Sequence, residues 1–203
     1  MSPVRRYHPL LVGLHWLMAL LVIATLALGA LKMAPLANTD PMKIEALRAH
    51  MAGGVAILVL LAGRFITRQT TARPAPQSAG LEAFDRIRPL AHALLYLLIL
   101  GMTLSGLTMA LQAGLFDIIY GGRGRLPPSL WIYPIRSVHF WISRGLMLVI
   151  GLHLSAVGYH QFVLRDGLIR RMWFGRRRAR VATDLAGPDP QSSGRPRASA
   201  ARG

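Results

Sequence analysis

The chain has 203 residues, 53% of them hydrophobic and only 7% aromatic, with a formal net charge of +16 and no cysteine. The missing thiols exclude disulfides, thiolate clusters and Cys zinc sites, so any bound metal relies on His, Met or oxygen ligands. A soluble chain this basic would suggest nucleic acid, but here the basic residues sit between and after long apolar runs, which argues for membrane lipid and no nucleic acid as the partner.

A bilayer core of about 30 Å takes roughly 20 apolar residues per helical span. The chain has room for four spans, and they predict one domain over 1–175. The first is 9–31. Arg5 and Arg6 precede it as in a secretory signal, but the run exceeds the roughly 7–15 residues of a signal's apolar region, and no small-residue cleavage site stands out. It therefore reads as a retained helix. The second span is 45–67, densest from Val55 to Gly63. The third is 89–115, with Pro89 at a first-turn position, where a missing N–H costs nothing. The fourth is 138–164.

The connections differ in character. Residues 32–46 make a short polar loop, and 64–88 a basic, extended linker with Arg73, Pro74 and Pro76. Residues 114–137 form the longest connection, its turns marked by Gly121, Gly122, Gly124, Pro127 and Pro128. The segment 176–203 is a basic tail of Gly, Pro, Ser, Ala and Arg with little to bury, and disorder is expected there. The predicted fold class is all-α, an integral membrane four-helix bundle.

Basic residues set the expected orientation. Seventeen fall on one side, in the N-terminal segment, the second connection and the C-terminal segment from Arg165. The other side has six: Lys32, Lys43, Arg48, Arg123, Arg125 and Arg136. Both termini are therefore expected to be cytoplasmic. Arg144 stands alone inside the fourth span, to snorkel outward or to face an anionic group.

There are seven histidines, and ionisable residues within spans are rare and usually functional. His139 and His153 share the fourth span, fourteen residues apart. That interval is about 21 Å along a helix axis and returns to within roughly 40° of the same face. One helix face thus carries an imidazole in each leaflet. By the predicted topology, His15 lies at the depth of His153, and His50 at the depth of His139. Neutral imidazole is a good iron ligand, and two of them across an apolar gap suit a six-coordinate haem b. The expectation is two haems, His15 with His153 near the cytoplasmic face and His50 with His139 near the outer face. Gly53, Gly54, Gly145, Gly151, Gly158, Ser105 and Gly106 offer clearance for a flat macrocycle, although small residues also serve ordinary helix contacts. A shallower pairing of His8 with His160 is a rival register. His92, at the start of the third span, is either a surface residue or a polar group beside the inner haem.

Several of these segments together resemble the prokaryotic cytochrome b561 family of four-helix, di-haem membrane proteins. They are His15–Trp16, Arg48–His50 with Gly54 after it, Leu90–Leu97 (LAHALLYL) and Gly151–Met172 (GLHLSAVGYHQFVLRDGLIRRM). The likeness extends to about Gly175. It implies the same pairing of His15 with His153 and His50 with His139, a bacterial inner-membrane location, and electron transfer that usually involves a quinone pool. One branch of the family oxidises superoxide outside and reduces ubiquinone, with a lysine near the quinone in the linker before the third helix. This chain has only Arg73, Arg86 and Arg88 there, and Arg144 is a second departure.

Three functions follow for comparison. The first is electron transfer between an outer donor and ubiquinone, the quinone lying near His92, Arg88 and Arg86. The mild positive field of the outer loops suits a small anion such as superoxide, and suits lipid headgroups equally. The second is a haem-bearing anchor or relay for a separate dehydrogenase or periplasmic redox protein, docked through 114–137. The third is a haem-free transporter with histidine proton relays, which leaves the level pairing unexplained.

Overall fold

The computed structural model describes residues 6–72, 74 and 82–174. The predicted tail at 176–203 and most of the linker at 73–81 lie outside the described residues. In a bilayer every backbone N–H and C=O must be satisfied within the chain, which leaves apolar runs of this length the choice of helix. Four helices here are long and apolar enough to cross a membrane, and among the described residues there is no strand.

Helix α1 spans Pro9–Ala27 and continues through a π-helical turn at Leu28–Met33. His8 caps it, its Nδ1 accepting from the Leu10 N–H at 3.2 Å, while Pro9 occupies the first turn. Helix α2, Pro41–Thr70, starts under an Asp40 cap that accepts from Met42 N–H at 2.8 Å. It is longer at both ends than the sequence suggested, and Arg64 belongs to it rather than to the following connection. Helix α3 is Glu82–Gln112. Pro89 lies inside it, not at its first turn as expected. The ring removes one backbone donor, but two turns of helix precede it, so the chain reaches the span already helical.

The long connection is not featureless. Gly114, at φ 61°, turns the chain into a short helix α4, Leu115–Ile119, and a single 3₁₀ turn at Leu130–Ile132 leads into α5, Pro134–Gly158. A π-helical turn, Tyr159–Leu164, finishes the fourth span.

Neighbouring helices run antiparallel. One end of the bundle, here the terminal end, holds the start of α1 and the finish of α5; the other is the loop end. Helix α1 packs on α2, α2 on α3 and α3 on α5. The pairs α1–α5 and α2–α5 form no comparable interface. The core has a central cluster of Met18, Val22, Ile57, Leu61, Ile99 and Leu146, and a loop-end cluster that includes Leu47, Met109, Leu115 and Ile119. Only 6% of the most apolar stretch of the last span is buried by protein, so that helix relies on other surroundings to cover it.

Both ends are tied down. At the loop end the buried Lys43 donates to the carbonyls of Met33 and Leu36 at 2.6 and 2.9 Å, and Asn38 donates to Pro127 O at 2.7 Å. Arg48 pairs with Glu45 at 2.6 Å and donates to Ile119 O at 2.8 Å. At the terminal end the segment after α5 folds back on α1, where Trp16 Nε1 donates to Met172 O at 2.7 Å and the Trp16 and Trp173 rings meet edge-on.

Candidate functional site

Toward the loop end, His50 of α2 and His139 of α5 face each other with ring centres 6.2 Å apart. These two helices do not pack, so the imidazoles reach across a gap. They line one apolar cavity with Gly29, Gly106, Arg136 and Arg144.

Each ring is backed by a glycine on a neighbouring helix. A β-carbon at Gly29 would lie 3.1 Å from His50 Cε1, and one at Gly106 would lie 3.1 Å from His139 Cε1. Around His139 the hydrogen bonds fix the tautomer. Ser105 Oγ gives its one proton to Met102 O at 3.0 Å, so toward His139 Nδ1, also at 3.0 Å, it acts as acceptor. Nδ1 then carries the ring proton, and Nε2 keeps a lone pair for an electrophile. The Nδ1 of His50 is buried without a hydrogen bond of standard geometry, beside the Thr25 backbone.

Toward the terminal end three histidines gather. The rings of His92 and His153 are 5.8 Å apart and nearly perpendicular, and His15 is an electrostatic neighbour of both. His92 Nδ1 donates to Arg88 O at 2.8 Å, which leaves its Nε2 unprotonated when the ring is neutral. Arg88 and Arg86 lie on the same helix, one to two turns nearer its start, with Arg86 exposed.

Arg64 also belongs to this group. It is only 8% exposed, donates to Leu11 O at 2.9 Å, lies beside the Tyr96 hydroxyl, and neighbours His15. Sequence reasoning placed it in a connection. The signal that would have found it is spacing: Arg64 follows His50 by fourteen residues, the interval between His139 and His153.

The rival register of His8 with His160 is not assembled. His8 caps α1, and His160 Nδ1 is bound to Asp166 Oδ2 at 2.5 Å. Of the glycines singled out from sequence, Gly106 does face a histidine. Gly53 makes room for Thr25, whose Oγ1 would be 2.7 Å from an added β-carbon, whereas Gly54, Gly151 and Gly158 face open space. Gly29, on the last turns of the first span, was missed.

Two imidazoles ligating one ion through bonds of about 2 Å have ring centres roughly 6 Å apart. The separation of His50 and His139, the proton on Nδ1 of His139 and the glycine behind each ring fit a pair of imidazoles that would hold one haem iron between them.

Comparison with known proteins identifies the family. The family model for prokaryotic cytochrome b561 matches residues 6–175. The chain is 28% identical over 178 residues to a protein of Yersinia pestis described as a probable superoxide oxidase CybB, covering 83% of this chain and 96% of that one. It is 26% identical over 176 residues to cytochrome b561 homolog 2 of Escherichia coli (strain K12), covering 82% and 90%. The chain belongs to the prokaryotic cytochrome b561 family, and is a multi-pass membrane cytochrome b of electron transfer that binds haem b.

Proposed function

We propose that this protein carries two b haems and moves electrons between a donor at the loop end and the quinone pool at the terminal end. The observation that supports it most directly is the His50–His139 pair, 6.2 Å apart across helices that do not pack. His50 and His139 would hold one haem; His15 and His153 would hold the other. When bound, the two groups supply reversible one-electron transfer, chemistry that no side chain in this protein provides.

The protein's own residues do the rest. Ser105 holds His139 in the tautomer that leaves Nε2 free. Gly29 and Gly106 let the imidazoles recede into the neighbouring helices. At the terminal end His92, with its proton on Nδ1 toward Arg88 O, offers Nε2 to a quinone oxygen or a proton on its way there. Reduction of a quinone takes two electrons and two protons, so a titratable side chain at that site has a defined task. Arg88 and Arg86 would orient the quinone oxygens as hydrogen-bond donors. With the terminal end cytoplasmic, as the arginine distribution indicates, the protons come from the cytoplasm and the donor is periplasmic, in a bacterial inner membrane. The probable superoxide oxidase relative makes superoxide the first donor to try.

The test is direct. Purified protein should contain two haem b per chain by pyridine haemochrome assay, with low-spin reduced-minus-oxidised spectra. It should reduce a ubiquinone analogue when superoxide is supplied. One haem or none in well-folded material counts against the site assignment; two haems with no superoxide-driven quinone reduction leaves the relay for a separate redox protein as the function.

A further inference from the structure

Two arginines stand at the outer cavity beside the histidines. Arg136 and Arg144 both line the cavity that His50 and His139 share. Their guanidinium groups converge on one ring, at 5.9 and 4.8 Å from the centre of Phe140, and Arg136 also lies 4.3 Å from the centre of Trp131. Arg136 is an electrostatic neighbour of both histidines. Among the described residues neither arginine forms an ion pair with a carboxylate. Lys43, the other cation near Arg136, is already engaged by two carbonyls.

An arginine inside a span is costly unless its charge meets an anion or water. Arg144 stands about one and a half turns deeper than His139, yet its guanidinium turns back over Phe140 and onto the cavity wall. Two cations that share a contact with Phe140 and line one cavity suit a ligand with two carboxylates on one edge. A haem b carries two propionates on one edge. We infer that Arg136 and Arg144 together hold the propionate carboxylates of the outer haem, with Phe140 setting the spacing of the two guanidinium groups. The inference rests on the assignment of His50 and His139 as ligands of that haem.

A charge-assisted contact of this kind has two consequences beyond anchoring. Reduction adds one negative charge to the site, so nearby cations favour the reduced form. A propionate paired with arginine stays ionised through neutral pH, whereas an unpaired propionate in an apolar site takes up a proton when the site is reduced.

The experiment uses full-length protein in detergent and in nanodiscs: wild type, Arg136→Gln, Arg144→Gln, the double variant, Arg144→Lys and His139→Ala. Haem per chain and potentiometric titrations at several pH values are measured, and the outer haem is assigned as the one lost in His139→Ala. Each glutamine variant should shift the outer haem's reduced-to-oxidised ratio at fixed potential about tenfold toward oxidised, which is about 59 mV for one electron. Its midpoint should become pH-dependent across neutrality, while the inner haem is unchanged. The double variant should lose the outer haem on gel filtration, and Arg144→Lys should restore most of the midpoint. If both glutamine variants keep the wild-type midpoint and pH profile while His139→Ala loses a haem, the arginines serve lipid and this inference falls alone. If His139→Ala keeps its full haem complement, the ligand assignment falls and takes the inference with it.

Discussion

Gly106 supports the His139 ring so closely that a β-carbon there would lie 3.1 Å from the imidazole Cε1. Gly106→Ala should push the ring toward the cavity and break its register with Ser105. Overpacking of this kind costs about 1–3 kcal/mol, and the effect should fall on the outer haem. Gly29→Ala should act likewise through His50. Gly63→Ala, where an added β-carbon meets nothing within 4 Å, serves as the control. Haem per chain after gel filtration reads all three; equal retention would mean that the ring backing is not needed for ligation.

On the proposed ligation, the two haems should separate genetically. His139→Ala and His50→Ala should each remove the same haem and spare the other, because the outer and inner histidines of α5 lie about 21 Å apart along the axis. His153→Ala and His15→Ala should remove the second. If His15→Ala matched His139→Ala instead, the depth pairing would be wrong, and with it the orientation drawn from the arginines.

The terminal end offers three imidazoles where the proposed inner haem would take two, and the variants distinguish their roles. His15→Ala should lose the inner haem. His92→Ala should keep it, despite the 5.8 Å separation of the His92 and His153 rings. Combined with Arg88→Ala, His92→Ala should lower quinone reduction at least tenfold, about 1.4 kcal/mol at the barrier. Unchanged quinone kinetics in that double variant would move the quinone site elsewhere.

Trp16 joins the segment after α5 to the start of α1 through one hydrogen bond, 2.7 Å from its Nε1 to Met172 O. Trp16→Phe keeps a ring but removes the donor, at a cost of about 1 kcal/mol. Limited proteolysis should then cut more readily at Arg170 and Arg171, with haem content unchanged. Identical cleavage rates in the variant would show that this contact does not hold the segment in place.

Much of this architecture was legible in the sequence because bilayer physics reduces the choices. Apolar runs of twenty or more residues become helices, and the fourteen-residue spacing of His139 and His153 survives folding as geometry. Three things were not legible, for different reasons. Proline is tolerated at a helix start, so Pro89 reads as one, but a helix that begins outside the apolar run has no hydropathy signature. Arg64 reads as part of a connection because a charge ends an apolar run by composition, although a Leu11 carbonyl and the Tyr96 hydroxyl beside it let it stay inside. Gly29 was unremarkable in sequence, since its role is set by a ring on another helix.

The helices that pack on one another are not the ones the proposed ligand pairs bridge, and this bears on how the protein is made. A nascent chain delivers its spans to the membrane in order. Helix α2 settles against α1 and α3 through side-chain packing and through hydrogen bonds such as that from Arg64 to Leu11 O. Helix α5 is the last of the four spans to arrive, carries one imidazole for each proposed site, and among the described helices that cross the membrane packs only on α3. On the proposed ligation, neither haem pocket exists until synthesis is complete, and the last helix is fully secured only when cofactor is at hand. Haem supply then acts as a checkpoint on maturation: chains made under haem shortage would keep a loosely seated final helix and be the ones that membrane proteases remove.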